Sequence, residues 1–215
     1  MTKKQQEKVN LHILGASLYA EEIAAFVIGS DTYTLGGFIE GIDRNKCSQK
    51  LLERPILWID DVSELDDLCK GICAVGSPKR KGFIHQAQSL GLQFTTFVHP
   101  SAQVSAMSNL GTGTIVGAGS IIAVKTSIGE HVIINRGCLI GHHVTIGSYV
   151  TISPGANIGG KTMIGSGSYI AMGAIILDGI TIGKNVIIGA GSVVTKDIRD
   201  NVQVVGLPAR IVKEL

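Results

Sequence analysis

Aromatic side chains are scarce in this 215-residue chain, at 5% of the total, with one Trp and five Phe. A core built on stacked rings is therefore excluded. Charge of one sign is also lacking. Nineteen Lys and Arg against seventeen Asp and Glu leave a formal +2, which gives no electrostatic grip on nucleic acid or on an anionic membrane. No run reaches the 18 apolar residues of a membrane-spanning helix, and no apolar signal core follows the basic opening MTKKQQEKVN. The four cysteines, Cys47, Cys69, Cys73 and Cys138, show neither Cys-x-x-Cys nor metal-type spacing. They read as inert thiols in a reducing cytoplasm, with no metal expected. What is plentiful is glycine, 28 residues, and aliphatics, a mixture suited to β-branched side chains stacked between tight turns.

Two halves follow different rules. Over residues 1–97 strand-like and helix-like pieces alternate. VNLHILG predicts a buried strand, Gly15-Ala16-Ser17 a turn, and AEEIAAFVI a helix burying Ile23, Ala24, Phe26 and Val27. TLGGFIEG and RPILW predict two more strands, DDVSELDDL a helix start, GICAVGS a strand, KRKGFIHQAQSLG a second helix, and FTTFVHP a closing strand. Such alternation predicts a small α/β domain on a parallel sheet, Rossmann-like in plan.

From Val104 onward every sixth residue is aliphatic, sixteen times in succession to Val194, and Val98 extends the register backwards. Glycine often follows the aliphatic, as at 111, 117, 129, 141, 147, 159, 165, 183 and 189. Four residues after it stands a small or β-branched residue such as Thr114, Ser120, Thr126 or Ala156, with Ile180 the largest. A period of six is neither helical nor simple alternation. It fits a parallel β-helix of triangular section, three hexapeptides per coil. The aliphatic would fill the prism, the small residue pack behind it, and the glycine permit the corner. Residues 98–198 supply about five and a half such coils, and 199–215 a capping segment.

His142 and His143 stand at the third and fourth places of the hexapeptide opened by Ile140, an outward corner. Residues eighteen apart stack on successive coils. That sets His142 between Val124 and Gly160, and His143 between Lys125 and Lys161. A solvated corner tolerates any polar residue, so position alone does not make either histidine functional. His131, on another corner, and His12, His85 and His99 have no more to recommend them.

The stretch IINRGCLIGHHVTIGSYVTISPGANIGG resembles the active-site coils of bacterial sugar O- and N-acetyltransferases with a left-handed β-helix. These include sialic acid O-acetyltransferases and the N-acetyltransferases of nucleotide-linked bacillosamine and perosamine. LHILGAS, AVGSPKRK, FVHPSAQVS and VVGLPARIV match other landmarks of that family in the same order. The resemblance implies the left hand of the helix, which runs against the usual crossover rule. It also implies acetyl-CoA as co-substrate and a cytoplasmic homotrimer with sites between neighbouring rods. His142 then matches the base that takes a proton from the attacking amine or hydroxyl, a task suited to an imidazole. The Gly160 amide matches the donor to the thioester oxygen, and Asn135 would help hold the acceptor.

Two positions depart from that pattern. The carboxylate that usually follows the base is His143, and the histidine often found nine residues after the base, against acetyl-CoA, is Thr151, as in some members resembling the perosamine type. The resemblance further implies a nucleotide-linked sugar at Gly15, Ala16 and Ser17, with Glu40 near base or ribose and Gly76 and Ser77 lining the pocket. Without it, Gly15-Ala16-Ser17 falls short of a dinucleotide fingerprint and reads as a plain strand-to-helix turn. Leu18 and Tyr19 replace the bacillosamine-type pair, and Tyr19 is nearer the perosamine type. Met172 and Ala190 match coenzyme A contacts; Lys184, Lys196 and Arg210 either meet its phosphates or only solubilise the rod.

The sequence thus predicts an acetyl-CoA-dependent sugar acetyltransferase of surface-glycan synthesis, with N-acetylation ahead of O-acetylation. Two other classes remain beside it. A β-helical zinc enzyme would need several corner histidines at coil spacing. A non-catalytic sugar-nucleotide binder or scaffold would account for the missing carboxylate.

Overall fold

The computed structural model describes residues 8–66 and 68–215. Most of the basic opening segment lies outside the described residues, as does position 67 of the expected helix start. The chain folds as two compact units. One runs through Val75 and resumes over Arg80–Thr95; the other is Gly76–Lys79 with Thr96–Leu215.

The first unit carries β1 (Val9–Leu14), α1 (Leu18–Ile28), β2 (Tyr33–Glu40), β3 (Lys50–Leu51), β4 (Arg54–Trp58), β5 (Lys70–Cys73), α2 (Lys81–Ser89) and β6 (Gln93–Phe94). Its sheet runs β3-β4-β2-β1-β5-β6, parallel except for the β3–β4 pair. β1 lies between β2 and β5, and Leu11, Ile13 and Leu14 are fully buried, as an unbroken apolar run in a parallel sheet requires. The stripe of α1 is Ala20, Ile23, Ala24 and Val27, at the i, i+3, i+4, i+7 spacing of one face. Ala20, not the expected Phe26, completes it, because position 26 falls off that stripe and is only half-buried.

DDVSELDDL does not open an α-helix. It forms a 3-10 helix over Ile59–Glu64 that ends in extended backbone at Leu65. Its N-cap is Trp58, which brings no capping hydrogen bond, and Ile59 and Val62 pin one face to the core. That three-residue spacing eclipses side chains in a 3-10 turn and stops there.

The second unit is the left-handed β-helix. Two-residue strands stack in three parallel sheets, with partners eighteen apart throughout: Val104, Ile122, Ile140, Ile158, Ile176 and Val194 form one internal column. From Ile122 upward these side chains are at least nine-tenths buried, each contributing about 1.5–3 kcal/mol by burial. Phe97–Val98, expected to close the α/β domain, instead pairs with Ile115–Val116 as the first rung. The rod therefore begins at Phe97, one residue before the expected boundary, and keeps about five and a half coils.

Behind the aliphatics runs a buried polar spine. The Thr126 hydroxyl donates to the Gly141 carbonyl and accepts from the Val144 amide; Thr114, Ser120 and Ser168 do the same in their own hexapeptides. Each hydroxyl thus serves a corner carbonyl and an amide that the sheets do not pair.

The corner chemistry differs from the sequence expectation. The glycine that follows the aliphatic does not adopt left-handed backbone; the residue two places later does, at Gly119, Gly137, Gly155 and Gly173 on one corner and at Lys125, His143 (φ 58°) and Lys161 on another. Glycine after the aliphatic answers a different demand. A Cβ on Gly141 would stand 2.6 Å from the Gly160 nitrogen of the next coil.

At the C-terminus Val202–Gly206 pairs in parallel with Ile187–Ile188, and Ala209–Glu214 turns back antiparallel on it. The described residues contain no helix long and apolar enough to cross a membrane.

Candidate active site

The rod has three corners, and the predicted residues are distributed among them by the eighteen-residue register. One corner stacks Val124, His142, Gly160 and Asp178, with Lys125, His143, Lys161 and Gly179 beside them. The His143 amide donates to the Val124 carbonyl, Lys161 to His142, and Gly179 to Gly160, so the column is held rung to rung by backbone.

On this corner both imidazoles are exposed. Their Nδ1 atoms are 3.1 Å apart, and the rings meet edge to face at 5.2 Å. Two ring nitrogens at that distance share one proton, so one ring donates and the other accepts. The Cε1–Nε2 edge of His142 lies against Gly160, where an added Cβ would stand 2.8 Å from either atom. Glycine at 160 is therefore what admits the imidazole. The Gly160 amide itself donates to Asp178 Oδ1 at 2.5 Å.

Asn135 is on the neighbouring corner of the same coil, at the other end of the strand Leu139–Ile140, and its Oδ1 accepts from the Arg136 amide at 3.0 Å. Met172 and Ala190 stack one coil apart on that second corner, both exposed, with the Gly191 amide donating to the Met172 carbonyl. The structure thus gathers His142, His143 and Gly160 and leaves Asn135, Met172 and Ala190 together elsewhere. Between the two corners, Ile121, Leu139 and Ile175 project outward and are about two-fifths exposed.

Thr151 is buried, and its hydroxyl donates to the Gly76 carbonyl at 2.8 Å. One expected coenzyme contact and one expected acceptor contact therefore touch each other. Ser77 Oγ accepts from the Lys79 amide. His131, expected as a solvated corner, is buried and stacked on Tyr149 at 5.4 Å.

In the first unit Gly15 follows β1 in left-handed backbone, φ 106°, with a Cβ position 3.2 Å from Val75. The chain leaves β1 for β2 on one side of it, and β5 flanks it on the other; this is the switch point where open α/β sheets place ligands. Ser17 is the N-cap of α1, without a side-chain cap bond, and Tyr19 lies half-buried in the first turn. Glu40, at the end of β2, is buried. Burial pushes its carboxyl up, but Lys46 and the amides of Ile42 and Gly41 outweigh that and hold it below the ordinary range. Lys46 Nζ lies 3.0 Å from Glu40 and 3.4 Å from the Ala16 carbonyl, so it ties the turn to the carboxylate.

Comparison with known proteins supplies the family. The model for bacterial transferase hexapeptide (six repeats) matches residues 125–160 and 161–196. The acetyltransferase domain of PglB from Neisseria gonorrhoeae is 30% identical, with a TM-score of 0.84 over 95% of this chain and 100% of that one. The chain belongs to the left-handed β-helix sugar acetyltransferases. A perosamine N-acetyltransferase from Caulobacter crescentus, solved as a histidine-to-asparagine variant with CoA and GDP-perosamine, is 26% identical at a TM-score of 0.88, over 95% and 97% of the two chains. WeeI from Acinetobacter baumannii is 25% identical at 0.77, over 94% and 99%. No curated protein sequence matches.

Sequence reasoning on this family member missed two residues. Asp178 was legible through the same arithmetic that stacked Gly160 on His142, extended by one coil. Lys46 carried no signal, because its contacts to Glu40 and Ala16 follow from the turn after β2, which has no periodicity. Among the described residues no group of three or more His, Cys, Asp or Glu is arranged to hold a metal ion.

Proposed function

We propose that this acetyltransferase moves an acetyl group from acetyl-CoA to the amine of a nucleotide-linked sugar, with His142 as general base. The observation that carries the reading is the seating of the His142 Nε2 edge on Gly160. It puts a proton acceptor and a backbone N–H donor on one exposed corner. The acceptor nitrogen attacks the thioester carbonyl and the oxygen gains charge beside the Gly160 amide. The new C–N bond forms, the C–S bond breaks, the amine proton passes to His142 and from it to the departing sulfur, and coenzyme A leaves as the thiol.

His143 takes the place of the usual carboxylate. When His142 donates Nδ1–H to His143 Nδ1, its Nε2 carries the lone pair a base requires. His143 thus selects the productive tautomer, without supplying a fixed negative charge. Asn135 holds the acceptor, and Thr151, Met172 and Ala190 meet acetyl-CoA with Gly160. In the first unit Gly15, Ala16, Ser17, Tyr19 and Glu40 receive the nucleotide, and Gly76 and Ser77 contribute to acceptor binding. The separation of His142 from Asn135, Met172 and Ala190 on two corners, with an apolar face between, supports a homotrimer in which neighbouring rods complete each site. A cytoplasmic place in surface-glycan synthesis follows from a nucleotide-sugar acceptor.

N-acetylation is preferred because the Caulobacter crescentus neighbours named as perosamine N-acetyltransferases carry CoA and GDP-perosamine. The test is thiol release from acetyl-CoA over UDP-, GDP- and dTDP-linked amino sugars and free sialic acid, beside His142→Ala. Turnover on an amino sugar, lost in the variant, is expected. Turnover on sialic acid alone moves the reaction to oxygen, and a fully active His142→Ala overturns the assignment of the base.

A further inference from the structure

The carboxylate of Asp178 occupies the amide that an acetyl thioester needs. The Gly160 N–H points toward the next coil, and Asp178 Oδ1 accepts from it at 2.5 Å. The third corner uses the same device twice: Ser148 Oγ caps the Glu130 amide, and Asp200 Oδ1 caps Lys184. On that corner the amide has no expected ligand. On the His142 corner it does, and the two acceptors exclude one another, since a backbone N–H donates well to one oxygen at a time.

We infer that Asp178 is a positioning residue that seals the Gly160 amide until acetyl-CoA arrives, and so sets the affinity for the acyl group. This rests on the reading of Gly160 as the donor to the thioester oxygen. A thioester carbonyl cannot approach the amide while the carboxylate is bound, because the anion takes the donor and repels the charge that develops on the oxygen. Asp178 is exposed, so its side chain swings to water without disturbing the coil. Coenzyme A without the acetyl group has no thioester carbonyl to place there and leaves Asp178 where it is. The gate therefore discriminates against acetyl-CoA and spares CoA, in proportion to the strength of a charge-assisted hydrogen bond.

The experiment is calorimetric titration of wild type, Asp178→Asn and Asp178→Ala with acetyl-CoA and, separately, with CoA. Asp178→Ala is expected to tighten acetyl-CoA binding about tenfold and leave CoA unchanged. Asp178→Asn keeps an acceptor for the buried amide without its charge and is expected to fall between. A merely structural role moves both ligands together, so equal shifts, or weaker acetyl-CoA binding in both variants, overturn the inference and leave the acetyltransferase reading standing. Wild type that binds neither ligand overturns that reading, and the inference falls with it.

Discussion

Gly160→Ala tests the corner geometry most directly. The new Cβ would stand 2.8 Å from His142 Cε1 and Nε2, whereas ordinary contact begins near 3.4 Å, so the imidazole must retreat by about 0.6 Å or more. A misplacement on the order of 1 Å costs roughly 10²-fold in a positioned reaction. The expected loss in kcat is therefore about 10- to 100-fold. Stability should hardly change. Gly160 is not in left-handed backbone, replacing glycine by alanine in permitted backbone stabilises by about 0.4–1 kcal/mol, and the displaced ring is exposed. The assay is thiol release beside a thermal melt, completed by the double variant Gly160→Ala, His142→Ala. If alanine acts by moving the imidazole, it adds nothing once the imidazole is gone. A Gly160→Ala enzyme within twofold of wild type, or full additivity in the double variant, would refute the seating of His142 as the basis of catalysis.

Two further predictions concern histidines. His143→Asp supplies the missing fixed charge and still accepts from His142 Nδ1, and Asp tolerates the left-handed backbone at 143; its turnover should rise several-fold above wild type, whereas His143→Gly should lose about tenfold. An aspartate variant no faster than the glycine variant would show that His143 does not orient the base. His12 is buried in β1, and that burial lowers its pKa from 6.5. The unfolded chain therefore binds this proton first, so the contribution to stability is whole above pH 6.5 and falls as pH drops through the window below it. Melts of wild type and His12→Phe at pH 7.5 and 5.5 should differ in slope, the wild type losing more on acidification; identical slopes would count against it.

The coil was legible because its core demand recurs every sixth residue and tolerates nothing polar. An aliphatic at 122, 140, 158 and 176 answers one physical need, and one need at a fixed interval is what sequence reveals best. The corner was harder. Glycine is enriched both after the aliphatic and two places on, and composition does not tell close approach from left-handed backbone. Gly141 and Gly160 are glycines for the first reason, Gly155 and Gly173 for the second, and only the φ angles and neighbour distances separate them. In the first unit nothing repeats. The length of the helix after Trp58 and the Lys46 bridge both depend on which surface each segment meets.

The same division separates the positions that hold the fold from those free to carry chemistry. Core positions are fixed by packing on the coils above and below, so a change there costs stability at once. Corner side chains meet only their column neighbours and water. The side chains at 143 and 178 can change without altering a rung, because the backbone bonds that hold the column run through Val124, His142 and Gly160 carbonyls. Departures on the corner therefore report on chemistry, and departures in the core would have reported on folding. In the proposed reaction His143 and Asp178 act at opposite ends of one centre, the first on the proton acceptor and the second on the donor to the oxygen. Changing both together, as His143→Asp with Asp178→Asn, moves the negative charge from the oxyanion side to the base side. That double variant should exceed either single variant in kcat/KM for acetyl-CoA, and a double variant slower than both would mean that the two residues do not serve the same corner.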